Sequence, residues 1–165
     1  MRPWLPRLLN IRRLRFADPD AQTLIDAVQA EYAVLYGSPD ETPLDPTMFD
    51  DPSGAFFVGY LDDLPLAMGG WRFRPDVLAL DRSTAAEIKR MYVAPRGRRT
   101  GLARAVLAHL EDSAALAGAD LMVLETGLKQ PEAIALYTSS GYQPVEAFGH
   151  YAWSPTARYY GKPLR

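Results

Sequence analysis

The chain has 165 residues, 48% hydrophobic and 23% charged, which suits one globular domain able to bury a full core. A formal charge of -2 and a pI near 5.7 give no net attraction to nucleic acid or to an anionic membrane. Cysteine is absent and His109 and His150 are the only histidines, so disulfides, thiolate metal sites and a cysteine nucleophile are excluded, and no HExxH-like spacing predicts a metal.

Residues 1–10 (MRPWLPRLLN) are broken by Pro6 and Arg7, lack a small-residue cleavage site, and read as an appended tail rather than a signal peptide; residues 11–165 form the single predicted domain. No run approaches the ~20 apolar residues that span a bilayer, so a cytoplasmic protein is expected. Ile11 to Phe16 alternates apolar and basic residues and predicts an edge or half-buried strand. Asp18 and Pro19 open a helix that carries Leu24, Ile25, Val28 and Tyr32 to a stop at Tyr36-Gly37.

Proline and acidic residues from Ser38 to Gly54 predict a surface loop, with room for one helical turn near Met48. Ala55 to Leu61 and Pro65 to Phe73 predict a hairpin around Asp62-Asp63-Leu64, and Thr84 to Val93 predicts a third strand. Gly101 to Ala117 places Leu102, Val106, Leu107, Leu110 and Ala114 on one stripe of an amphipathic helix. Leu121 to Leu124 predicts a strand buried on both faces, Pro131 to Gly141 a helix, and two weaker strands close the chain. This order predicts α/β architecture with a mixed sheet.

Between Val93 and the amphipathic helix lies Arg98-Arg99-Thr100-Gly101-Leu102-Ala103. Backbone N–H groups at the helix start have no intrahelical partner, Gly101 and Ala103 are small enough for close approach, and the helix dipole favours an anion. Arg96, Arg98 and Arg99 add positive charge. A Walker loop would need Gly-Lys-Ser/Thr and a Rossmann loop three spaced glycines, and neither is present.

Val93, Pro95, Arg98, Gly101 and Ala103 write V-x-P-x-x-R-x-x-G-x-A, which resembles the acetyl-coenzyme A motif of the GNAT N-acetyltransferase superfamily. QPEAIALYTSSGY, Gln130 to Tyr142, resembles the family's later N-x-x-A-x-x-L-Y-x-x-x-G-F/Y segment, with Gln130 in place of the usual asparagine. The resemblance spans Glu87 to Gly149. It implies a mixed, mostly antiparallel sheet of six to seven strands flanked by about four helices, and acetyl-CoA as cosubstrate. The implied reaction is direct acetyl transfer to a primary amine, on a small molecule or a protein; a non-catalytic acyl-CoA sensing module is the alternative. A homodimer is also implied, and neither nucleic acid nor membrane is an expected partner.

An amine attacks a thioester only when neutral, so a base, a carbonyl-polarising donor and an acid for the leaving thiolate are needed. In an extended strand Glu87, Lys89, Met91 and Val93 share one face, and Glu87 is the candidate base. By resemblance, Tyr137 is the candidate acid. Main-chain groups of Met91, Tyr92 and Val93 meet the thioester and pantetheine, with Gln130 and Tyr137 alongside, and Arg98, Arg99, Thr100, Gly101, Leu102 and Ala103 hold the pyrophosphate. Glu31, Tyr32 and Tyr36, at the end of the first helix, and Glu125, after the buried strand, are candidates for acceptor binding. His109 is expected to face solvent, and His150 is a further candidate for the acceptor pocket.

Overall fold

The structure, a computed structural model, describes residues 8–164. β1 (Leu9–Arg13) leads to α1 (Pro19–Tyr36), which starts where Asp18 accepts a hydrogen bond from the Asp20 N–H at 2.9 Å and Pro19 needs no donor partner. The prolines beyond α1 allow only a 3-10 turn, Pro46–Phe49, before the next strand. β2 (Gly54–Leu61) and β3 (Leu64–Arg74) form the expected hairpin, closed by Asp62 and Asp63 at φ 50° and 66°, the left-handed pair that a tight hairpin turn demands. β4 (Ala85–Val93), α2 (Leu102–Leu116), β5 (Leu121–Gly127), α3 (Pro131–Ser139), β6 (Gln143–Pro144) and β7 (Ala157–Pro163) follow.

The strands make one seven-stranded sheet in the order β1-β2-β3-β4-β5-β7-β6, antiparallel except where β5 lies parallel to β4. α2 crosses over between these two. It buries the predicted stripe, Leu102, Val106, Leu107, Leu110 and Ala114, against Phe57, Trp71, Ile88, Met122 and Leu124, with Tyr137 of α3 in the same cluster. α1 buries Ala21, Leu24, Ile25 and Val28 on the opposite face, over Phe56, Val58, Met68 and Tyr92. Each such side chain contributes about 1.5–3 kcal/mol by leaving water, so the sheet is clamped from both sides.

The structure alters several expectations. Leu9 and Asn10, expected in the tail, belong to β1, while residues 1–7 lie outside the described residues. β1 ends at Arg13 rather than Phe16, because Leu14 and Phe16 pack into the core beneath α1, Phe16 stacking on Phe49 at 5.3 Å. Three α-helices are present among the described residues instead of about four, since the proline-rich segment after α1 supplies only a 3-10 turn.

The alternation expected along β4 also fails, at one residue. Gly70 pairs with Lys89 and Met68 with Tyr92, so Arg90 and Met91 together oppose Gly69 in a β-bulge, with Arg90 at φ 58°. Beyond the bulge Met91 and Val93 pack on the α2 side with Ile88, whereas Tyr92 joins the α1 side. Glu87 and Lys89 therefore do not share a face with Met91 and Val93. Gly69 permits the tight fit, because a Cβ there would lie 2.9 Å from Leu110 and 3.2 Å from the Met91 sulfur.

Candidate active site

The β4–β5 ladder contains only Ala85↔Leu121, Ala86↔Met122 and Glu87↔Val123. β4 then stays with β3 to Val93, while β5 stays with β7 to Gly127, so the sheet opens into a wedge. A cavity of about 380 Å³ occupies this region. Its walls come from both strands (Glu87, Lys89, Met91, Glu125), from α1 and the segment after it (Tyr32, Tyr36, Asp40), from α3 (Tyr137), and from Tyr151 and Trp153 before β7.

At the end of β4 the chain makes a 3-10 turn, Pro95–Gly97, then reaches α2 through Arg99 at φ 60° and Gly101 at φ 84°. Gly101 occupies the N-cap position with no side-chain cap, and the space beside its Cα is open. The first-turn amides of α2 are thus presented to whatever lies above them. Thr100 Oγ1 donates to the Gly97 carbonyl and receives only a long, 3.4 Å contact from the Leu102 N–H. Leu102 is fully buried, so its main chain, not its side chain, faces this position.

Glu87 is 3% exposed, and its Oε1 accepts from Arg74 Nη1 at 2.7 Å and Arg72 Nε at 3.2 Å. Arg74 is held in turn by Asp76 at 2.8 Å. Glu125, on β5, lines the same cavity, with no cation within ion-pair distance among the described residues. Burial pushes its carboxyl up to about 7; the Lys89 charge opposes that rise, and the Asp40 and Glu87 charges add to it. Tyr137 is buried, which drives its phenol well above the ordinary value and keeps it protonated. Tyr32 is raised too, by burial first and then by the Asp40 charge.

Among the remaining predicted residues, Met91, Gln130, Tyr32 and Tyr36 line the cavity, and the Gln130 amide donates to the Tyr36 hydroxyl at 3.0 Å. Tyr92 is buried beneath α1, and Val93 offers its carbonyl to Arg98 Nε at 3.1 Å. Arg98 also donates through Nη2 to Glu31 at 2.8 Å, and Glu31 lies outside the cavity lining. Arg99 is exposed and Ala103 half-buried beside the α2 start. His109 is half-buried against Phe57 at 4.5 Å rather than facing solvent, and His150 is exposed, against Tyr151, outside the cavity lining. No three His, Cys, Asp or Glu side chains among the described residues converge as a metal site, and no described helix is long and apolar enough to cross a membrane.

Sequence reasoning missed Lys89, Arg90, Asp40, Tyr151 and Trp153 as walls of the cavity. Asp40 is held below the ordinary carboxyl value: burial would raise it, but two hydrogen bonds from Thr42 and the charges of Arg90 and Lys89 prevail. The Tyr151 hydroxyl accepts the Glu41 N–H at 2.8 Å and donates to Asp40 at 3.3 Å, tying two distant segments together. Gly69-Gly70 within a strand was the available sign of the bulge that places Arg90.

Residues 22–142 match the model of the acetyltransferase (GNAT) family. An IAA acetyltransferase of Azospirillum brasilense is 40% identical over 78 residues, 47% of this chain and 51% of that protein. The chain thus spans about half the length of this curated relative. Among solved structures, a protein assigned as an acyl-CoA N-acyltransferase from Klebsiella pneumoniae superposes with a TM-score of 0.75 at 29% identity, over 96% of this chain and 99% of that one. The PaiA N-acetyltransferase of Thermoplasma acidophilum, in complex with coenzyme A, shares the fold at 13% identity, with a TM-score of 0.67 over 94% and 99% of the two chains.

Proposed function

Since the chain belongs to the acetyltransferase (GNAT) family, we propose that it moves the acetyl group of acetyl-CoA directly to a primary amine in a ternary complex, with Glu125 as base and Tyr137 as acid. The observation that carries this reading is the wedge between β4 and β5, which opens beyond Glu87 on the strand that runs on to the capless start of α2. The residues fit the donor. Amides around Arg99, Thr100, Gly101, Leu102 and Ala103 suit a pyrophosphate, and the β4 main chain at Met91 to Val93 suits the pantetheine arm and the thioester carbonyl. Arg98 supports the loop through Glu31 and Val93 rather than offering a free charge.

The base role expected of Glu87 passes to Glu125. Both line the cavity, but Glu87 Oε1 is already shared by two guanidiniums, and taking a proton there would break a buried network. Glu125 has no such partner and is poised near the working pH. An acceptor ammonium gives its proton to Glu125, directly or through water. The amine nitrogen then forms its bond to the acetyl carbon as the C–S bond breaks, and the sulfur takes the Tyr137 proton. The second proton that nitrogen sheds on becoming an amide returns through water to the Tyr137 oxygen, while Glu125 releases the first to solvent. Burial keeps Tyr137 protonated, so an O–H is available to the sulfur as charge develops on it.

The name of the Azospirillum relative supports a small-molecule acceptor, and the cavity size is consistent with one. Acceptor-dependent thiol release from acetyl-CoA, across a diverse amine panel, tests the reading. Glu125→Gln and Tyr137→Phe are each expected to lower turnover about 100-fold, within the range for a lost proton-transfer group, while acetyl-CoA binding persists. Binding without acceptor-dependent release would refute transfer, and undiminished turnover in either variant would remove that residue's role.

A further inference from the structure

We propose that the amine acceptor also carries a carboxylate, as in an amino acid, and that Arg90 with Lys89 holds it. This rests on the acetyl-transfer reading and names the acceptor class for the same site.

Arg90 sits in the bulge with its backbone at φ 58°, a conformation that costs about 1–2 kcal/mol in a non-glycine residue. Its side chain is only 6% exposed and forms part of the cavity wall. Its sole ion-pair contact among the described residues is Nη1 to Asp40 Oδ2 at 3.5 Å, and neither Nε nor Nη1 has a hydrogen-bond acceptor. Buried guanidinium donors left without acceptors are costly, so the site as built holds unspent binding capacity. Asp40 supplies little of what is missing: the Thr42 N–H at 2.9 Å, the Thr42 hydroxyl at 2.7 Å and the Tyr151 hydroxyl at 3.3 Å hold its Oδ1, and Oδ2 stands 3.5 Å from Nη1 without making a hydrogen bond. The loose Asp40 contact lets the guanidinium turn onto an incoming carboxylate, with the two-point geometry that arginine favours.

The charges around the cavity agree. Glu87 is neutralised by Arg72 and Arg74, and Asp40 faces Arg90. Glu41 is exposed. Lys89 lines the cavity with no carboxylate within 4.0 Å among the described residues. What remains without an ion pair among the described residues is Lys89 on β4 and one carboxylate, Glu125, across the wedge on β5, with Arg90 beside Lys89 held only by the 3.5 Å contact to Asp40. An acceptor with one ammonium and one carboxylate satisfies both ends and is oriented by them, its amine towards Glu125. Tyr32, Tyr36, Tyr151 and Trp153 offer aromatic surface to the rest of the molecule, which favours an amino acid with an aromatic or large apolar side chain.

The test compares each common amino acid with its decarboxylated amine, for example phenylalanine with phenethylamine, by thiol release at saturating acetyl-CoA. At least one amino acid should exceed its amine in kcat/KM by about 10-fold or more, the scale of a charged hydrogen bond. Arg90→Met should bring that ratio close to one, chiefly through KM, and Lys89→Met should lower it part of the way. Arg90→Lys, which keeps the charge but loses the fork, gives an intermediate ratio and guards against misfolding of the methionine variant. In the wild-type enzyme 3-phenylpropionate, which has the carboxylate but no amine, should inhibit competitively against the acceptor. Amines accepted as well as or better than their amino acids, or a ratio unmoved in the Arg90 variants, overturns the inference and leaves acetyl transfer standing. Turnover of neither class, with acetyl-CoA still bound, overturns acetyl transfer and this inference with it.

Discussion

Replacing Glu125 with glutamine should stabilise the protein at high pH while disabling it. In the folded protein the Glu125 carboxyl is raised from 4.5 to about 7, chiefly by burial, so folding disfavours its charged form. A raised carboxyl costs nothing below the unfolded value near 4.5, costs progressively more as pH rises, and reaches its full penalty above about 7. At ~1.4 kcal/mol per unit the ceiling is about 3 kcal/mol, and partial exposure of the side chain reduces it to about 1.5 kcal/mol. For a chain of this length that corresponds to about 3–6 °C in Tm. Glutamine keeps the shape and removes the charge. Thermal scans of both proteins at pH 4.5 and pH 8.5 should coincide at the lower pH and separate at the higher, the variant melting later. In parallel, wild-type kcat/KM should rise with pH through about 7, and the variant should lack that rise. A Tm offset that is the same at both pH values, or a variant less stable at pH 8.5, would refute the assignment of a strained, unpartnered carboxylate.

Glu87→Gln should behave in the opposite way, losing about 3 kcal/mol of stability because Arg72 and Arg74 are left facing a neutral group, with turnover of the folded enzyme within a few-fold of wild type; denaturant melts and thiol-release kinetics report the two effects. Gly101→Ala has open space for its methyl but must hold φ 84°, so a loss of about 1 kcal/mol in urea unfolding is expected with the fold intact. The Tyr159 hydroxyl is buried with no partner among the described residues, and Tyr159→Phe should raise stability by about 1 kcal/mol in the same assay.

Much of this fold could be read from local chemistry. The Asp18-Pro19 start of α1, the Asp62-Asp63 turn and the Leu102 to Ala114 stripe each combine a local conformational preference with a hydrophobic period, and all three appear where expected. Residues whose role depends on a distant partner were not legible. Nothing in EIKRMYV states that Arg72 and Arg74, two strand positions on β3, will close on Glu87, because that pairing depends on register between strands. Arg98 looked like an anion ligand until α1 brought Glu31 to it. Glu125 had no motif to mark it, since its character comes from a wedge that exists only after β4 and β5 part. Asp40 and Tyr151 lie 111 positions apart and meet only across the finished cavity.

The bulge at Arg90 acts as a parity switch on β4. Were Arg90 held in regular pairing with no bulge, strict alternation would send Met91 and Val93 to the side of Glu87 and Lys89. With the bulge, Glu87 and Lys89 stay on one face of the sheet while Met91 and Val93 turn to the other, against α2. The two halves can then diverge separately: an exchange at 89 alters the cavity wall while 91 and 93 keep their place against α2. Excision of Arg90 alone would remove the bulge yet leave every later side chain of β4 on its present face, since Met91 would follow Lys89 in ordinary alternation, whereas excision of a regularly paired residue such as Lys89 would turn them through the sheet.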